Sequence, residues 1–195
     1  MPRAKPTLAD RRIGLNLPNL ISLARLLLVP LAIWFILGGR YAGAFWVFVV
    51  AGISDALDGF IAKRFDRRTR LGALLDPVAD KALLVSVYVA LGLAHQLWTS
   101  LVILVVFRDA MIVGGFLLIQ VFAVPKHYDP LYISKINTGV QIALVAFVLA
   151  RLGIGIDAGV IDKVLSLVVI ATTVLSGLSY LVRWARILAH SEQAW

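Results

Sequence analysis

Six apolar stretches, each close to 20 residues long, fill most of this chain and leave little sequence between them. A stretch of that length, wound as an α-helix, crosses a hydrocarbon core about 30 Å thick. Charged residues make up only 15% of the chain and the mean hydropathy is +0.91, which excludes an ordinary soluble domain. We therefore predict an all-α polytopic membrane protein with six spans, at about residues 20–37, 41–62, 71–94, 98–124, 132–152 and 160–182.

The Lys and Arg residues indicate which way the six spans run. Segments 1–19, 63–70, 125–135 and 183–186 would share one side of the membrane, and they hold thirteen of the 19 cationic residues. The loops on the opposite side hold three. Because cytoplasmic loops carry the excess of cations, both termini are predicted to be cytoplasmic. The membrane would be the inner (plasma) membrane of a bacterium, or the mitochondrial inner membrane if the source is eukaryotic.

The spans also define the predicted domain division. We expect a short N-terminal interfacial or cytosolic segment over 1–19, one six-helix domain over 20–186 and a C-terminal tail over 187–195. The formal net charge of +8 fits attraction to anionic lipids. No basic region interleaved with aromatic residues points to a nucleic-acid partner, and the absence of cysteine excludes thiolate chemistry.

Four carboxylates interrupt the apolar second and third stretches. Asp55 and Asp58 are three residues apart, and Asp76 and Asp80 are four apart, so each pair lies on one face of a helix. The polar segment 63–70 is typical of a turn at the membrane surface, which makes the two helices antiparallel neighbours and lets the four side chains converge. Four ionised carboxylates in a place of low dielectric require compensation, and hard divalent cations supply it. The pattern therefore predicts a metal site.

A carboxylate site with bound metals at a membrane face suits phosphoryl transfer, because the cations neutralise phosphate oxygens and a nearby carboxylate can accept a hydroxyl proton. Gly59, Ala62 and Gly72 lie beside the acids, where they serve close helix packing or leave room for a nucleotide. Access from lipid and from water implies a lipid substrate with a phosphorylated headgroup. A divalent-cation transporter is the alternative, although the acids cluster at one face and no repeat is visible.

Two arginines lie within the apolar stretches. Arg25 is about one turn inside the first stretch, and it either reaches back to the lipid headgroups or faces the bundle as a phosphate ligand. Arg108 is in the middle of the fourth stretch and precedes Asp109, so it forms a buried ion pair or points into the same cavity as the acids. Lys63 and Lys135 are further candidates to bind an anionic substrate, and each is also explicable as interface charge.

The spacing around the acids resembles the signature of the CDP-alcohol phosphatidyltransferases, Asp-x2-Asp-Gly-x2-Ala-Arg-x8-Gly-x3-Asp-x3-Asp. At the position of the signature arginine this chain has Lys63, which keeps the charge but lacks the bidentate fork. The length and the six-span layout also fit, so the resemblance covers nearly the whole chain. The seven matching positions are Asp55, Asp58, Gly59, Ala62, Gly72, Asp76 and Asp80.

The resemblance implies transfer of a phosphatidyl group from CDP-diacylglycerol to an alcohol, with release of CMP. It implies that the four aspartates bind two Mg²⁺ or Mn²⁺ ions and that Asp80 is also the general base. It further implies a homodimer. The residues that would bind the cytidine diphosphate are Asp55, Asp58, Gly59, Ala62, Lys63, Gly72 and Asp76.

Two branches of the family look similar to this chain, and they differ in the acceptor alcohol. The CMP-forming cardiolipin synthases use phosphatidylglycerol, whereas the phosphatidylglycerophosphate synthases use glycerol 3-phosphate. Segments 57–62, 108–111 and 133–141 look more like the first branch, and Asn137 stands where the second branch typically has a lysine. Glycerol 3-phosphate is close to a dianion and requires several cations, so one fewer lysine favours phosphatidylglycerol. The candidate ligands of the acceptor or lipid phosphate are Asn19, Arg25, Arg108, Lys135 and Asn137.

Overall fold

A computed structural model describes residues 17–65, 70–121, 132–157 and 160–191, with side chains described at 24–54, 81–115, 132–157 and 160–184. Within these ranges the chain forms six α-helices and no β-strand, which confirms the all-α prediction. The helices are α1 (Leu17–Leu37), α2 (Tyr41–Phe65), α3 (Arg70–Leu93), α4 (Thr99–Val121), α5 (Tyr132–Ile154) and α6 (Ile161–Ser191).

The helix boundaries agree with the predicted spans to within three residues, except at the end of the chain. α2 and α5 begin at the predicted residues, Tyr41 and Tyr132. α6 is longer than the predicted span, since it continues to Ser191, and the first residues of the predicted C-terminal tail, 187–191, are helical. The predicted N-terminal segment lies outside the described residues, except for its last three, 17–19, which belong to α1.

Left-handed backbone conformations close the three helix ends at one end of the bundle. Gly39 has φ of 68° and Gly155 has φ of 76°, a region that glycine enters without steric strain. His95, with φ of 57°, takes the same conformation in the α3–α4 connection. The connections 38–40 and 94–98 are short, so α1 is antiparallel to α2 and α3 is antiparallel to α4.

The helices pack around an apolar core to which α1, α2, α3, α4 and α5 contribute most of the side chains. α1 contacts both α2 and α3, α5 lies against α2 and α6, and α4 contacts α3 and α6. Small residues permit close approach where helices cross; a Cβ built at Gly153 of α5 would lie 2.6 Å from the backbone of Ala42 in α2. Fully buried members of the core include Val87, Tyr88, Leu91, Leu101, Leu144 and Leu149.

The outer surface of the bundle is apolar and part of its interior is polar. Large apolar side chains are exposed on every one of the six helices, among them Trp34, Trp46 and Phe107. A soluble monomer rarely exposes contiguous apolar surface on this scale, whereas a bilayer solvates it. Two helical segments, Tyr132–Ile154 and Ile161–Trp184, are long and apolar enough to cross a membrane by themselves. The buried polar side chains include Arg25, Arg108, Asp109, Asn137, Gln141, Thr173 and Ser176.

Candidate active site

The four predicted aspartates are on helical backbone in two different helices. Asp55 and Asp58 belong to the C-terminal half of α2, and Asp76 and Asp80 belong to the N-terminal half of α3. Residues three or four apart lie on one face only where the backbone is helical, so this condition of the prediction is met for each pair. Their side chains lie outside the described ones, so their convergence and the metal site stay predictions. The same applies to the side chains of Asn19, Gly59, Ala62, Lys63 and Gly72.

A cavity of about 210 Å³ lies among α1, α2, α3 and α5. At a rise of 1.5 Å per residue, the four aspartates lie about 9 to 15 Å along the helix axes from the end of α2 or the start of α3. Lys81, one of the cavity residues, directly follows Asp80 in α3. The described residues that line it are Arg25, Phe48, Ala51, Gly52, Lys81, Leu83, Leu84, Thr138 and Ile142.

Arg25 is buried and lines this cavity. Of the two interpretations that its position allowed, the structure therefore supports the one in which the side chain faces the bundle. A side chain that reached back to the lipid headgroups would be exposed at the membrane surface. The guanidinium brings cationic character to the α1 wall of the cavity.

Lys81 supplies the second cation of the cavity wall. Its Nζ donates to Oδ2 of Asp109 at 3.1 Å and to Oγ1 of Thr138 at 3.4 Å, so it joins α3 to α4 and α5. Asp109 is 1% exposed and Lys81 is 22% exposed, because the ammonium reaches the cavity and the carboxylate does not. The ion pair fixes the ammonium at the edge of the cavity.

Arg108 forms the buried ion pair that was one of its two predicted roles. Its Nη1 donates to Oδ1 of Asp109 at 2.6 Å, and its Nη2 donates to Oγ of Ser134 and of Ser176, both at 2.6 Å. Arg108 is 2% exposed and is not among the residues that line the cavity. To bind an acceptor phosphate, as the sequence suggested, it would have to exchange these contacts. We refer to Lys81, Arg108, Asp109, Ser134, Thr138 and Ser176 as the polar cluster.

The two candidates on α5 have different surroundings. Lys135 is exposed, as expected of a residue near the start of the helix. Asn137 is fully buried, and its Oδ1 accepts hydrogen bonds from Thr172 at 2.8 Å and Thr173 at 2.9 Å of α6. Asn137 thus joins α5 to α6 and, like Lys135, does not line the cavity.

Sequence reasoning gave no role to Lys81, although its position after Asp80 was a usable signal. Its partner Asp109 is 28 residues away, and no local pattern links the two. Gln141 was also missed as a buried group: its side chain is fully buried and makes no hydrogen bond with any described residue. Its position four residues after Asn137, on the same helix face, was the available signal.

A family model described as CDP-alcohol phosphatidyltransferase matches residues 15–178 of this chain. The matched range includes both aspartate pairs, the cavity and the polar cluster, and it extends from the start of α1 well into α6. The match therefore covers the entire candidate site.

Curated proteins from three organisms are similar to this chain. A chloroplastic CDP-diacylglycerol–glycerol-3-phosphate 3-phosphatidyltransferase of Oryza sativa subsp. japonica is 34% identical over 94% of this chain and 61% of its own length. A cardiolipin synthase (CMP-forming) of Rattus norvegicus is 35% identical over 69% of this chain and 50% of its own length. The corresponding protein of Homo sapiens is 34% identical over 76% of this chain and 54% of its own length. This chain thus spans half to three-fifths of the length of these relatives.

Proposed function

Because this chain belongs to the CDP-alcohol phosphatidyltransferase family, we propose that it transfers a phosphatidyl group from CDP-diacylglycerol to phosphatidylglycerol, forming cardiolipin and CMP. The observation that carries the proposal is the family match over 15–178, which contains the complete pattern of four aspartates on α2 and α3. The similarity to the rat and human proteins, whose names specify cardiolipin synthesis with release of CMP, supports the choice of acceptor.

The donor set of the four aspartates fits hard divalent cations. Asp55 and Asp58 are one helical turn apart on α2, as are Asp76 and Asp80 on α3, and carboxylate oxygens are the ligands that Mg²⁺ and Mn²⁺ prefer. When bound, two such ions would neutralise the diphosphate oxygens of the donor. The role of Asp80 itself would be to accept the proton of the acceptor hydroxyl as that oxygen attacks the β-phosphorus.

Replacing Asp80 by asparagine tests the role of this carboxylate as a base. The amide retains one oxygen ligand but cannot take the proton. We therefore expect metal affinity to change little while turnover falls about 100-fold or more. Isothermal titration with Mn²⁺ and CMP release would be measured on the same preparation. A parallel loss of metal affinity and rate would show that Asp80 is only a ligand.

The environment of Asn137 supports the lipid acceptor. This residue stands where the glycerol 3-phosphate branch typically has a lysine, and here it is a neutral amide, fully buried and bonded to Thr172 and Thr173. A lysine at this place would bring an unpaired charge into the α5–α6 contact. This chain therefore has a neutral residue where that branch typically has a cation, which favours the acceptor of lower charge.

Synthesis of phosphatidylglycerophosphate is the second candidate function. The specific observation in its favour is the rice relative, which covers more of this chain than the rat or human proteins do. In that reaction glycerol 3-phosphate would take the place of phosphatidylglycerol, with the same donor and the same aspartates.

An acceptor panel separates the two reactions. Purified protein in liposomes with CDP-diacylglycerol and Mn²⁺ or Mg²⁺ would receive phosphatidylglycerol, glycerol 3-phosphate or neither, and the lipid products would be identified by mass spectrometry. We expect cardiolipin and CMP with phosphatidylglycerol only. Phosphatidylglycerophosphate formed from glycerol 3-phosphate, with no cardiolipin, would overturn the acceptor assignment.

The proposed function places all six helices across the inner membrane of a bacterium as a homodimer, with both termini and the acid site at the cytoplasmic face. The exposed apolar side chains on all six helices support this placement. Because the chain has no cysteine, Ser100→Cys at the start of α4 and Ser191→Cys at the end of α6 can be labelled from opposite sides of inverted vesicles. Labelling of both from one side would contradict the topology, and light scattering would test the dimer.

A further inference from the structure

We propose that Arg40 and Trp34, at the end of the bundle away from the aspartates, bind the phosphate of an anionic phospholipid. Arg40 precedes α2 and stands 15 residues before Asp55, which is about 22 Å along the helix axis. The lipid would therefore belong to the leaflet opposite the candidate active site. The inference goes beyond the proposed reaction, and it requires only that α1 and α2 lie in a membrane.

The Arg40 guanidinium is held by an aromatic ring. Its Cζ lies 5.1 Å from the centre of the Trp34 ring, a distance at which the ring attracts the cation. The backbone beneath it is also fixed, because the N–H of Arg40 donates to the carbonyl of Phe35 at 2.8 Å and its carbonyl accepts from Ala44 at 3.1 Å. The ring and the turn together hold the side chain in place before a ligand binds.

The guanidinium keeps its hydrogen-bond donors for a ligand. It has five N–H donors, and none of them bonds to a residue that the structure describes. An indole ring attracts the charge but offers no oxygen or nitrogen acceptor, so the donors stay available. Arg40 is also exposed. Its planar fork matches two oxygens of a phosphate, which makes a phosphate the ligand that its geometry fits best.

An exposed apolar stripe leads from this site along α1. Leu27, Leu31 and Trp34 follow one another at spacings of four and three residues, so they lie on one face of the helix, and all three are exposed. Trp34 is three residues before the end of α1, which places its ring about 4.5 Å from that end, at the depth where interfacial tryptophans lie. A lipid with its phosphate on Arg40 can lay an acyl chain along this stripe.

The charge at this end of the bundle favours an anionic lipid. Lipids with a choline or ethanolamine headgroup carry an ammonium, which the guanidinium repels, whereas a glycerol headgroup carries none. Of the three cations in the connections at this end, Arg151 contacts Asp162, and Lys163 contacts no described aromatic ring. Among the described residues at this end, Arg40 alone combines available donors with a ring that holds the group in place.

Quenching of tryptophan emission tests the site. The full chain would be placed in vesicles of phosphatidylcholine that contain phosphatidylglycerol, with one or the other lipid brominated on its acyl chains, because bromine quenches an indole that it contacts. We expect brominated phosphatidylglycerol to quench more than brominated phosphatidylcholine at equal mole fraction, with a relative affinity of about five-fold. Equal quenching by the two lipids would overturn the proposal.

Variants at two cations separate a binding site from diffuse attraction. Arg40→Gln should fold, since the exposed guanidinium bonds to no described residue, and we expect it to lose the excess quenching. Lys163→Gln is the matched control, because it removes the same charge from the same end of the bundle and should keep the excess. Arg40→Lys retains the charge but lacks the fork and should lose most of it. Equal losses in the two glutamine variants, or full retention in Arg40→Lys, would show diffuse attraction and refute the site.

Two tryptophan variants locate the lipid. Trp34→Phe removes the indole that the bromine would contact, and we expect the excess quenching to disappear with it. Trp98→Phe is the control, because Trp98 is exposed in the α3–α4 connection at the same end and contacts no described arginine or lysine. Loss of the excess in Trp98→Phe, with retention in Trp34→Phe, would place the lipid elsewhere.

The lipid site and the proposed reaction fail separately. Phosphatidylglycerol bound as an acceptor is common to wild type and Arg40→Gln, so it cancels when their quenching is compared. We expect the rate of CMP release to be unchanged in Arg40→Gln. A protein that makes no cardiolipin but shows Arg40-dependent quenching would refute the proposed function and support the lipid site. Cardiolipin synthesis with quenching indifferent to Arg40 would do the reverse.

Discussion

The middle of the bundle and its α5–α6 end differ in the way they hold charge. In the middle, two cations, Lys81 and Arg108, share one carboxylate that is only 1% exposed. At the end, Arg151 pairs one-to-one with Asp162, with Nε and Oδ2 3.4 Å apart and the two side chains 29% and 23% exposed. An exposed one-to-one pair contributes little to stability, whereas losing the carboxylate of a buried pair leaves buried charge behind. The comparison therefore separates a partly exposed pair that joins two helix ends from a buried carboxylate that two cations share.

Removing the shared carboxylate should have the largest effect on stability. Asp109→Asn removes the one carboxylate that Lys81 and Arg108 contact among the described residues, and we expect the free energy of unfolding in detergent to fall by about 3 to 5 kcal/mol. Lys81→Gln, which leaves a one-to-one pair, is the control and should lose distinctly less. Equal losses in reversible denaturant unfolding would mean that the charge imbalance does not matter.

The tightest helix contact near the α5–α6 end involves backbone and should tolerate change less than contacts elsewhere. A Cβ at Gly153 would lie 2.6 Å from both N and Cα of Ala42. Backbone atoms, unlike a side chain, cannot relieve such a contact by changing rotamer. We expect Gly153→Ala to lower the free energy of unfolding by about 1 to 3 kcal/mol. Gly139→Ala, in open space on the same helix, should raise it by about 0.5 to 1 kcal/mol. A neutral Gly153→Ala would show that α2 and α5 separate easily.

The corresponding contact between α4 and α6 should tolerate an added methyl group better. A Cβ at Gly115 would overlap the indole ring of Trp184, but that ring is a side chain and can rotate. We expect Gly115→Ala to lower the free energy of unfolding by about 1 kcal/mol and to change the tryptophan emission. The neighbouring Gly114 meets no described atom within 4 Å, so Gly114→Ala should raise the free energy of unfolding by about 0.5 to 1 kcal/mol, as Gly139→Ala does, and leave the emission unchanged. A loss larger than that of Gly153→Ala would reverse the order of the two contacts.

Periodic and compositional signals were sufficient to predict the helices. They were not sufficient to predict which residues of different helices contact each other. Six apolar stretches predicted six helices because helix length and apolar content are local properties. The end of α6 was not predicted because the apolar stretch ends near residue 182, whereas the helix continues through polar residues to Ser191. The family could be recognised because its signature is contiguous along the chain over residues 55–80.

The polar cluster could not be predicted, because it depends on contacts between residues distant in sequence. Arg108 could be assigned to an ion pair with its neighbour Asp109, but Ser176 is 68 residues away and Ser134 is 26 away. Likewise, the motif predicts Asn137 as an acceptor ligand, and only the fold shows that Thr172 and Thr173 of α6 bond to it. A motif fixes which residue is present but not which face of its helix meets a neighbour.

Breaking the Arg151–Asp162 pair should have the smallest effect. The pair is partly exposed, its 3.4 Å separation lacks hydrogen-bond geometry at Nε, and pairs of this kind contribute about 0.2 to 1 kcal/mol. We expect Arg151→Gln and Asp162→Asn to lower the free energy of unfolding equally and within that range, and the difference from wild type to vanish in high salt. A loss near that of Asp109→Asn would mean that burial and balance do not distinguish the two sites.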